Sequence, residues 1–306
     1  MQLGSAMWRE ADLKSPFDPL SAPAYLLIAA MVIVGLALCW ALGFRISLEI
    51  FPQFFGMPLM SVLAGLGLRR LGKPNFATGM EVLGLFYLQG LAAFFLIAPL
   101  ASVGAPLVDG WLAQVDAAIG FDWGEYARLT SSFETFFRVM YRSFAWQPAA
   151  VALTLYFTSQ SARLWPVITA AIVALIITSA VSPLAPALGA SEYYGLPSLM
   201  AHRSAPALLA LRDGYRILDS SVFTALICIP SYHGAAAVIF TWACWHTKVR
   251  PLYVALNALM AASAISIGDH YLIDLIAGAA VGGASIWLVK RLPARNQEAG
   301  ASAALV

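Results

Sequence analysis

Eight stretches of about 20 mostly apolar residues, beginning near residues 24, 50, 81, 144, 164, 230, 251 and 271, constrain this chain more than any other feature. A helix of that length reaches across the hydrocarbon of a bilayer and satisfies its own backbone N–H and C=O groups without water. The expected fold class is therefore all-α: a polytopic transmembrane helix bundle of about eight spans. Composition agrees, with 60% of 306 residues apolar, 11% charged and a mean hydropathy of +0.77, against roughly 25% charged in soluble domains. The first stretch, from Ala24 to about Phe44, is too long for a signal-peptide core and lacks a small-residue cleavage site, so it is expected to remain as a span. The second, Ile50 to Leu68, contains Pro52 and Pro58 and is open to a re-entrant or interfacial course.

Basic residues in short loops collect on the cytoplasmic side of a membrane. Arg69, Arg70 and Lys73, then Arg163, then Lys248 and Arg250, then Lys290, Arg291 and Arg295 all alternate onto one face. The N-terminus is thereby expected in the cytoplasm, and the connections 102–142, 183–229 and 266–270 on the extracytoplasmic side. The first of these is acidic, with Asp109, Asp116, Asp122, Glu125 and Glu134. It also holds Trp111 and Trp123, which suits a helix lying at the interface with tryptophans at headgroup depth, or equally an ordinary structured loop. No internal repeat is evident, and the polar tail after Lys290 is expected to be disordered. A formal net charge of +2, with aromatics inside apolar runs, excludes a nucleic-acid reader. Cys39, Cys228 and Cys244 form no disulfide framework and indicate no redox chemistry.

Loop charge alone, with no motif assumed, puts His233 at the outer start of the sixth stretch and His270 at the outer start of the eighth. Two imidazoles at one membrane depth can share one site. Around the second, the string Gly268-Asp269-His270-Tyr271-Leu272-Ile273-Asp274 sets His270 and Asp274 at i and i+4, on one helical face. A carboxylate accepting from one ring nitrogen fixes the tautomer, leaves the other nitrogen as a nucleophile and stabilises positive charge on the ring. A purely structural His–Asp pair at a helix start is the alternative, although an ionisable residue within a span is by default a functional candidate. Around the first, Ile229-Pro230-Ser231-Tyr232-His233-Gly234 reads as a helix start, Pro230 fitting the first turn. Such a terminus attracts an anion such as phosphate, and His233 there is suited to protonating a leaving oxygen. Ser231 and Tyr232, in the same turn, are candidate substrate-binding residues; a simple capping turn explains the same string. The outer connection before His233 carries His202, Arg203, Arg212 and Arg216, and Arg138 and Arg142 precede the fourth stretch. Arginine suits forked recognition of phosphate oxygens. Contact with lipid headgroups, or pairing with Glu192, Asp213 and Asp219, reads equally well.

At these residues the chain resembles the PAP2 superfamily of lipid phosphatases and phosphotransferases, whose signatures include Pro-Ser-x-His and His-x-x-x-Asp. The nearest look is to the inositolphosphotransferase and inositol phosphorylceramide synthase-like subgroup, because Pro230-Ser231-Tyr232-His233 lacks the usual glycine before histidine and Tyr271 follows His270. The resemblance covers roughly residues 80 to 290. It implies an N-terminal lead-in with two accessory spans (1–79), a six-helix catalytic membrane domain (80–290) and a cytoplasmic tail (291–306). It also implies that His270 forms a phosphohistidine, that Asp274 orients it, and that His233 protonates the leaving group and then activates the acceptor, with no metal or cofactor. The phosphatase branch has an arginine where this chain has Ala264, and its Lys and Arg-Pro motif has no match, Arg250-Pro251 being on the cytoplasmic side. Arg212, then Arg216 and Arg142, are the substitutes that charge and side suggest.

The expected activity is transfer of a phosphoryl group or phospho-headgroup from a lipid phosphate to water or a polyol such as inositol. It would take place at the outer face of a bacterial inner membrane, with the site toward the periplasm or exterior. A proton-coupled transporter or flippase is the main rival and would typically show inverted repeats and interrupted helices; no such symmetry is evident. A metalloenzyme liganded by His233, His270 and Asp274 leaves the arginines without a purpose. A serine hydrolase lacks a Gly-x-Ser-x-Gly turn around Ser231.

Overall fold

The computed structural model describes residues 18–195, 204–223, 226–267 and 269–291. His202, Arg203, Gly268 and the tail beyond Arg291 lie outside the described residues. The chain is a helix bundle: α1 (Ala22–Ala41), α2 (Ile50–Phe54), α3 (Gly56–Arg70), α4 (Pro74–Ala101), α5 (Asp109–Ala118), α6 (Trp123–Ser131), α7 (Glu134–Phe157), α8 (Leu164–Val181), α9 (Ala190–Tyr194), α10 (Ser204–Arg212), α11 (Tyr232–Ala243), α12 (Arg250–Ser266) and α13 (Leu272–Arg291). Among the described residues the one small sheet is the parallel pair β1 (Arg45–Ile46) and β2 (Ile217–Leu218), in the register Arg45↔Ile217 and Ile46↔Leu218.

Among the described helices, four segments are long and apolar enough to cross a membrane: Ala22–Ala41, Pro74–Ala101, Ser161–Leu184 and Leu272–Arg291. The other apolar stretches are also helical but depart from simple spans for identifiable reasons. The Pro-containing stretch near residue 50 breaks at Phe55 into α2 and the 15-residue α3. Helix α7 has the length, but Glu134, Arg138 and Arg142 occupy its first turns. Helix α11 has only 12 residues, about 18 Å of rise against the roughly 30 Å of a hydrocarbon core. That shortness matters to function: the hydroxyl of Tyr232, in the first turn of α11, accepts from Gln89 Nε2 at 3.0 Å and donates to Ala171 O at 3.3 Å. Both partners lie well inside α4 and α8, so α11 begins below the rim of the bundle.

Helix α4 is the hub, packing against α1, α3, α7 and α8, while α11 packs on α7, α8, α12 and α13. Helices α1 and α3 lie against the outside of α4. The core between α4, α8 and α11 is built from Leu85, Phe86, Trp165, Ile168, Ile172, Ile239 and Phe240. Alternation of helix direction gathers Arg69, Arg70, Lys73, Arg163, Lys248, Arg250, Lys290 and Arg291 at one end of the bundle and His233 and His270 at the other. Contacts tie the basic end together: Arg163 Nη2 donates to Trp242 O at 3.2 Å, and Lys290 sits 5.6 Å from the Trp242 ring centroid. At the opposite end the β1–β2 pair joins the chain after α1 to the connection after α10.

One buried ion pair holds α1, α3 and α4 in register. Arg69 donates through Nε (2.9 Å) and Nη2 (2.7 Å) to Glu81 Oε1, and Tyr25 donates to Glu81 Oε2 at 2.8 Å. Glu81 is fully buried, and Arg69 Nη2 also reaches Thr78 Oγ1 at 3.0 Å. Removing one partner of a buried pair strands the other charge, at a cost of about 3–5 kcal/mol. Glu81→Ala is accordingly expected to lower the melting temperature in detergent sharply, and Glu81→Gln, which keeps shape and acceptor, much less. Wild-type melting of Glu81→Ala would show that the pair does not support the fold.

Candidate active site

Two loops and two helix starts build the site. Ser231 caps α11, its Oγ accepting from the Gly234 N–H at 3.4 Å, and its own N–H donates to Asp274 O at 2.9 Å, which ties the start of α11 to the first turn of α13. The start of α13 is capped from α5: Asp116 accepts from the N–H groups of Leu272 (2.8 Å) and Ile273 (2.9 Å). Burial raises the Asp116 carboxyl above its ordinary range, and these two donors oppose that shift. Two turns earlier on the same face of α5, Asp109 accepts from the N–H groups of Leu188 and Gly189, both at 3.0 Å, and from the Tyr271 hydroxyl at 3.1 Å. Trp123 donates to His270 O at 3.2 Å. Read from sequence as a possible headgroup residue, Trp123 is instead buried beneath the site, stacked on Tyr194, while Trp111 is exposed.

Within this frame His270 and Asp274 meet, Nδ1 lying 3.3 Å from Oδ2, but not on one helical face as expected: α13 begins at Leu272, and His270 reaches the first turn from the connection before it. A carboxylate only accepts, so Nδ1 carries the proton and Nε2 keeps its lone pair. Nε2 faces Ser231 Oγ at 3.3 Å. The same Asp274 oxygen accepts from the Tyr271 N–H at 2.9 Å and from the Cys228 thiol at 3.1 Å. Burial, and then the charge of Asp274, push the Cys228 thiol well above its ordinary range, so it remains a donor. The ring of His233 lies 5.9 Å from that of His270, centroid to centroid, with the planes at 63°. It is held by stacking on Tyr141 at 4.7 Å and by Phe144 at 4.6 Å.

Both imidazoles line one cavity of about 460 Å³ between α4, α7, α8 and α11. Its walls are apolar, with Phe86, Ala93, Phe94, Ile97, Leu175 and Phe223, and its polar end carries His233, His270, Asp269, Tyr141, Tyr232 and Gln89. Asp269, which sequence reading passed over, adopts φ +62° and accepts from the Ser191 N–H at 2.6 Å. Gly189 faces it at φ +110°, where an added Cβ would come within 2.4 Å of its Oδ2. A glycine is needed there for conformation and for space alike.

Ser231 and Tyr232 thus stand beside the two histidines. The three arginines assigned to phosphate do not. Arg212 donates to Ala105 O at 2.7 Å, bracing the connection after α4. Arg216 donates to Leu211 O at 2.7 Å and lies over the Phe44 ring. Arg142 is exposed on α7, one residue from cavity-lining Tyr141. None of the three lines the cavity, and neither does any other arginine or lysine among the described residues. Metal-ligand chemistry also converges differently from the set weighed on sequence: among the described residues the donors that come together are Cys228, His270 and Asp274, not His233.

A family model described as PAP2 superfamily matches residues 110–288, more than half of the chain. The chain belongs to the PAP2 superfamily. No curated protein and no solved structure matches it. The matched segment opens at α5 and closes in α13, so both histidines, Asp274 and the two capping elements of the site fall inside the PAP2 region. The superfamily generally comprises phosphatases, and an apolar helical bundle of this kind fits a membrane phosphatase of that group.

Proposed function

We propose that this PAP2 protein cleaves the phosphate ester of a lipid through a covalent phosphohistidine on His270 and passes the phosphoryl group, or a phospho-headgroup, to water or to a polyol such as inositol. The observation that carries the proposal is the pairing of two imidazoles, 5.9 Å apart, at the polar end of an apolar cavity. His270 Nε2 attacks phosphorus, and the ester oxygen departs with a proton from His233. The ring then carries positive charge, which the Asp274 carboxylate at Nδ1 offsets. In the second half, His233 takes a proton from water or the acceptor hydroxyl, that oxygen attacks the phosphohistidine, and His270 is regenerated. The first turn of α11, bearing Ser231 and Tyr232, offers a helix N-terminus to the phosphate oxygens. Of the candidate arginines, Arg142 stands nearest in sequence to the cavity wall, and Arg203 lies outside the described residues. The basic end of the bundle would face the cytoplasm of a bacterial inner membrane and the site the periplasm or exterior.

Incubation of the purified protein with labelled lipid phosphates, with and without inositol or glycerol, tests the proposal and separates hydrolysis from transfer. Failure to release or transfer phosphate from any lipid ester would overturn it. Replacement of His233 has a more specific signature. An alkoxide leaving group needs a proton, whereas a nitrophenolate leaves without one. His233→Ala should therefore slow cleavage of an alkyl ester by about 10²–10⁴-fold and that of a nitrophenyl ester far less. Equal losses on both esters would rule out an acid role.

A further inference from the structure

Beside the nucleophile, three groups with metal-ligand chemistry meet. Cys228 Sγ lies 3.1 Å from Asp274 Oδ2, His270 Nδ1 lies 3.3 Å from the same oxygen, and the three donors fall within 4.8 Å of one another. A tetrahedral zinc ion, with bonds of about 2.3 Å to sulfur and 2.0–2.2 Å to nitrogen and oxygen, sets its ligand atoms roughly 3.3–3.5 Å apart. The two pairs that share Asp274 Oδ2 already stand near those spacings, and the third pair, Cys228 with His270, falls within 4.8 Å. All three side chains are buried, and Cys228 and His270 line the cavity, which gives an ion a way in. Asp274 also keeps a second oxygen, Oδ1, buried and without a hydrogen-bond partner among the described residues. A thiolate and a carboxylate together neutralise a divalent ion, and a neutral cluster is what a low-dielectric interior tolerates.

We propose that Cys228, His270 and Asp274 form an inhibitory site for a thiophilic divalent cation of the zinc type. On binding, the Cys228 thiol gives up its proton to solvent and sulfur bonds the metal, and Asp274 contributes a carboxylate oxygen. His270 contributes its Nδ1 lone pair, so the neutral ring carries its proton on Nε2. That atom then donates to Ser231 Oγ and has no lone pair left for phosphorus. The ion thus disables the nucleophile from behind, without occupying the place of the phosphate. Inhibition rests on the nucleophile role given to His270 above, whereas binding of the ion does not.

The test separates the two. The purified full chain, stripped of metal, is titrated with cobalt(II) and its absorption recorded. One equivalent is expected to produce a near-ultraviolet thiolate-to-cobalt charge-transfer band together with the intense visible bands of a tetrahedral ion. Cys39→Ala and Cys244→Ala should keep the charge-transfer band, and Cys228→Ala should lose it; Cys228→Ser serves the same purpose if the alanine variant does not fold. In parallel, zinc inhibition of lipid phosphate cleavage is measured for each protein against its own metal-free rate. Cys228→Ala should raise the half-inhibitory zinc concentration by more than about tenfold. A cobalt spectrum without the thiolate band, or one that survives Cys228→Ala, would overturn the site even if cleavage is confirmed. A thiolate band that depends on Cys228 in a protein with no phosphatase activity would uphold the site and count against the reading of function.

Discussion

His270→Gln is expected to lower kcat on any lipid phosphate by at least about a thousandfold, the loss typical when a covalent nucleophile is removed. Glutamine roughly preserves the length of the side chain and supplies an N–H for Asp274, which keeps a third donor on the buried carboxylate where alanine would leave two. The cluster of donors on Asp274 Oδ2, from Tyr271 N–H and Cys228 as well as His270, also makes the helix start independent of the ring itself. Folding, read as the melting temperature in one detergent, should change little. The covalent step gives a second readout: rapid quench of the wild-type protein with labelled lipid phosphate should trap protein-bound phosphate that is labile to acid and stable to base, and His270→Gln should trap none. A variant that keeps a tenth of the activity, or that still traps label, would assign the nucleophile elsewhere.

The parts of this site that were legible in the sequence are those set by short-range spacing and by helix ends. His270 and Asp274 meet because four residues separate them, although His270 lies two residues ahead of α13 and reaches Asp274 from the connection, not from a shared helical face; Ser231 caps α11, with Pro230 just before the cap instead of in the first turn. The sorting of basic residues to one end of the bundle followed from counting loops between the apolar stretches. Contacts between segments distant in sequence were not legible. Asp109 and Asp116 read as acidity in an outer loop, yet each accepts backbone N–H groups from a different segment, and without them the connection around Gly189 and the start of α13 would have unpaired donors. Cys228, in the outer connection, read only as a cysteine outside any disulfide framework; its approach to Asp274 depends on how α11 and α13 pack. Arg212 and Arg216 were judged by charge and side alone, and charge does not distinguish a phosphate ligand from a brace on a carbonyl oxygen. Helix length was not legible for a related reason. Hydropathy reports how apolar a stretch is, whereas the length of α11 is set by where its cap, Ser231, is held.

The packing of α11 on α13 also yields the second large effect. Gly278→Ala is expected to reduce kcat/KM by about a hundredfold or more, the penalty for moving reacting groups by roughly 1 Å. A Cβ at Gly278 would lie 2.1 Å from Ser231 O and 3.2 Å from Ala235 N, both backbone atoms that cannot rotate away. Gly234 and Gly282 face the same interface, where their added Cβ atoms would meet Leu275 O at 2.5 Å and Ala235 O at 2.6 Å. Small residues at that spacing let two helices in a membrane approach backbone to backbone. Any wedge at Gly278 must push the first turn of α11, and with it Ser231 and His233, away from the first turn of α13, which bears Asp274 and follows His270 directly. Propensity acts in the opposite direction, since alanine inside a helix is favoured over glycine by about 1 kcal/mol. Gly283 supplies the control, being the residue directly after Gly282 in the same helix and having nothing within 4 Å of an added Cβ. Gly283→Ala should keep its activity and hold or gain stability, while Gly278→Ala should lose activity and melt lower by overpacking worth about 1–3 kcal/mol. Equal activity of the two variants in a single assay would mean that the distance between the histidines is not set by this interface.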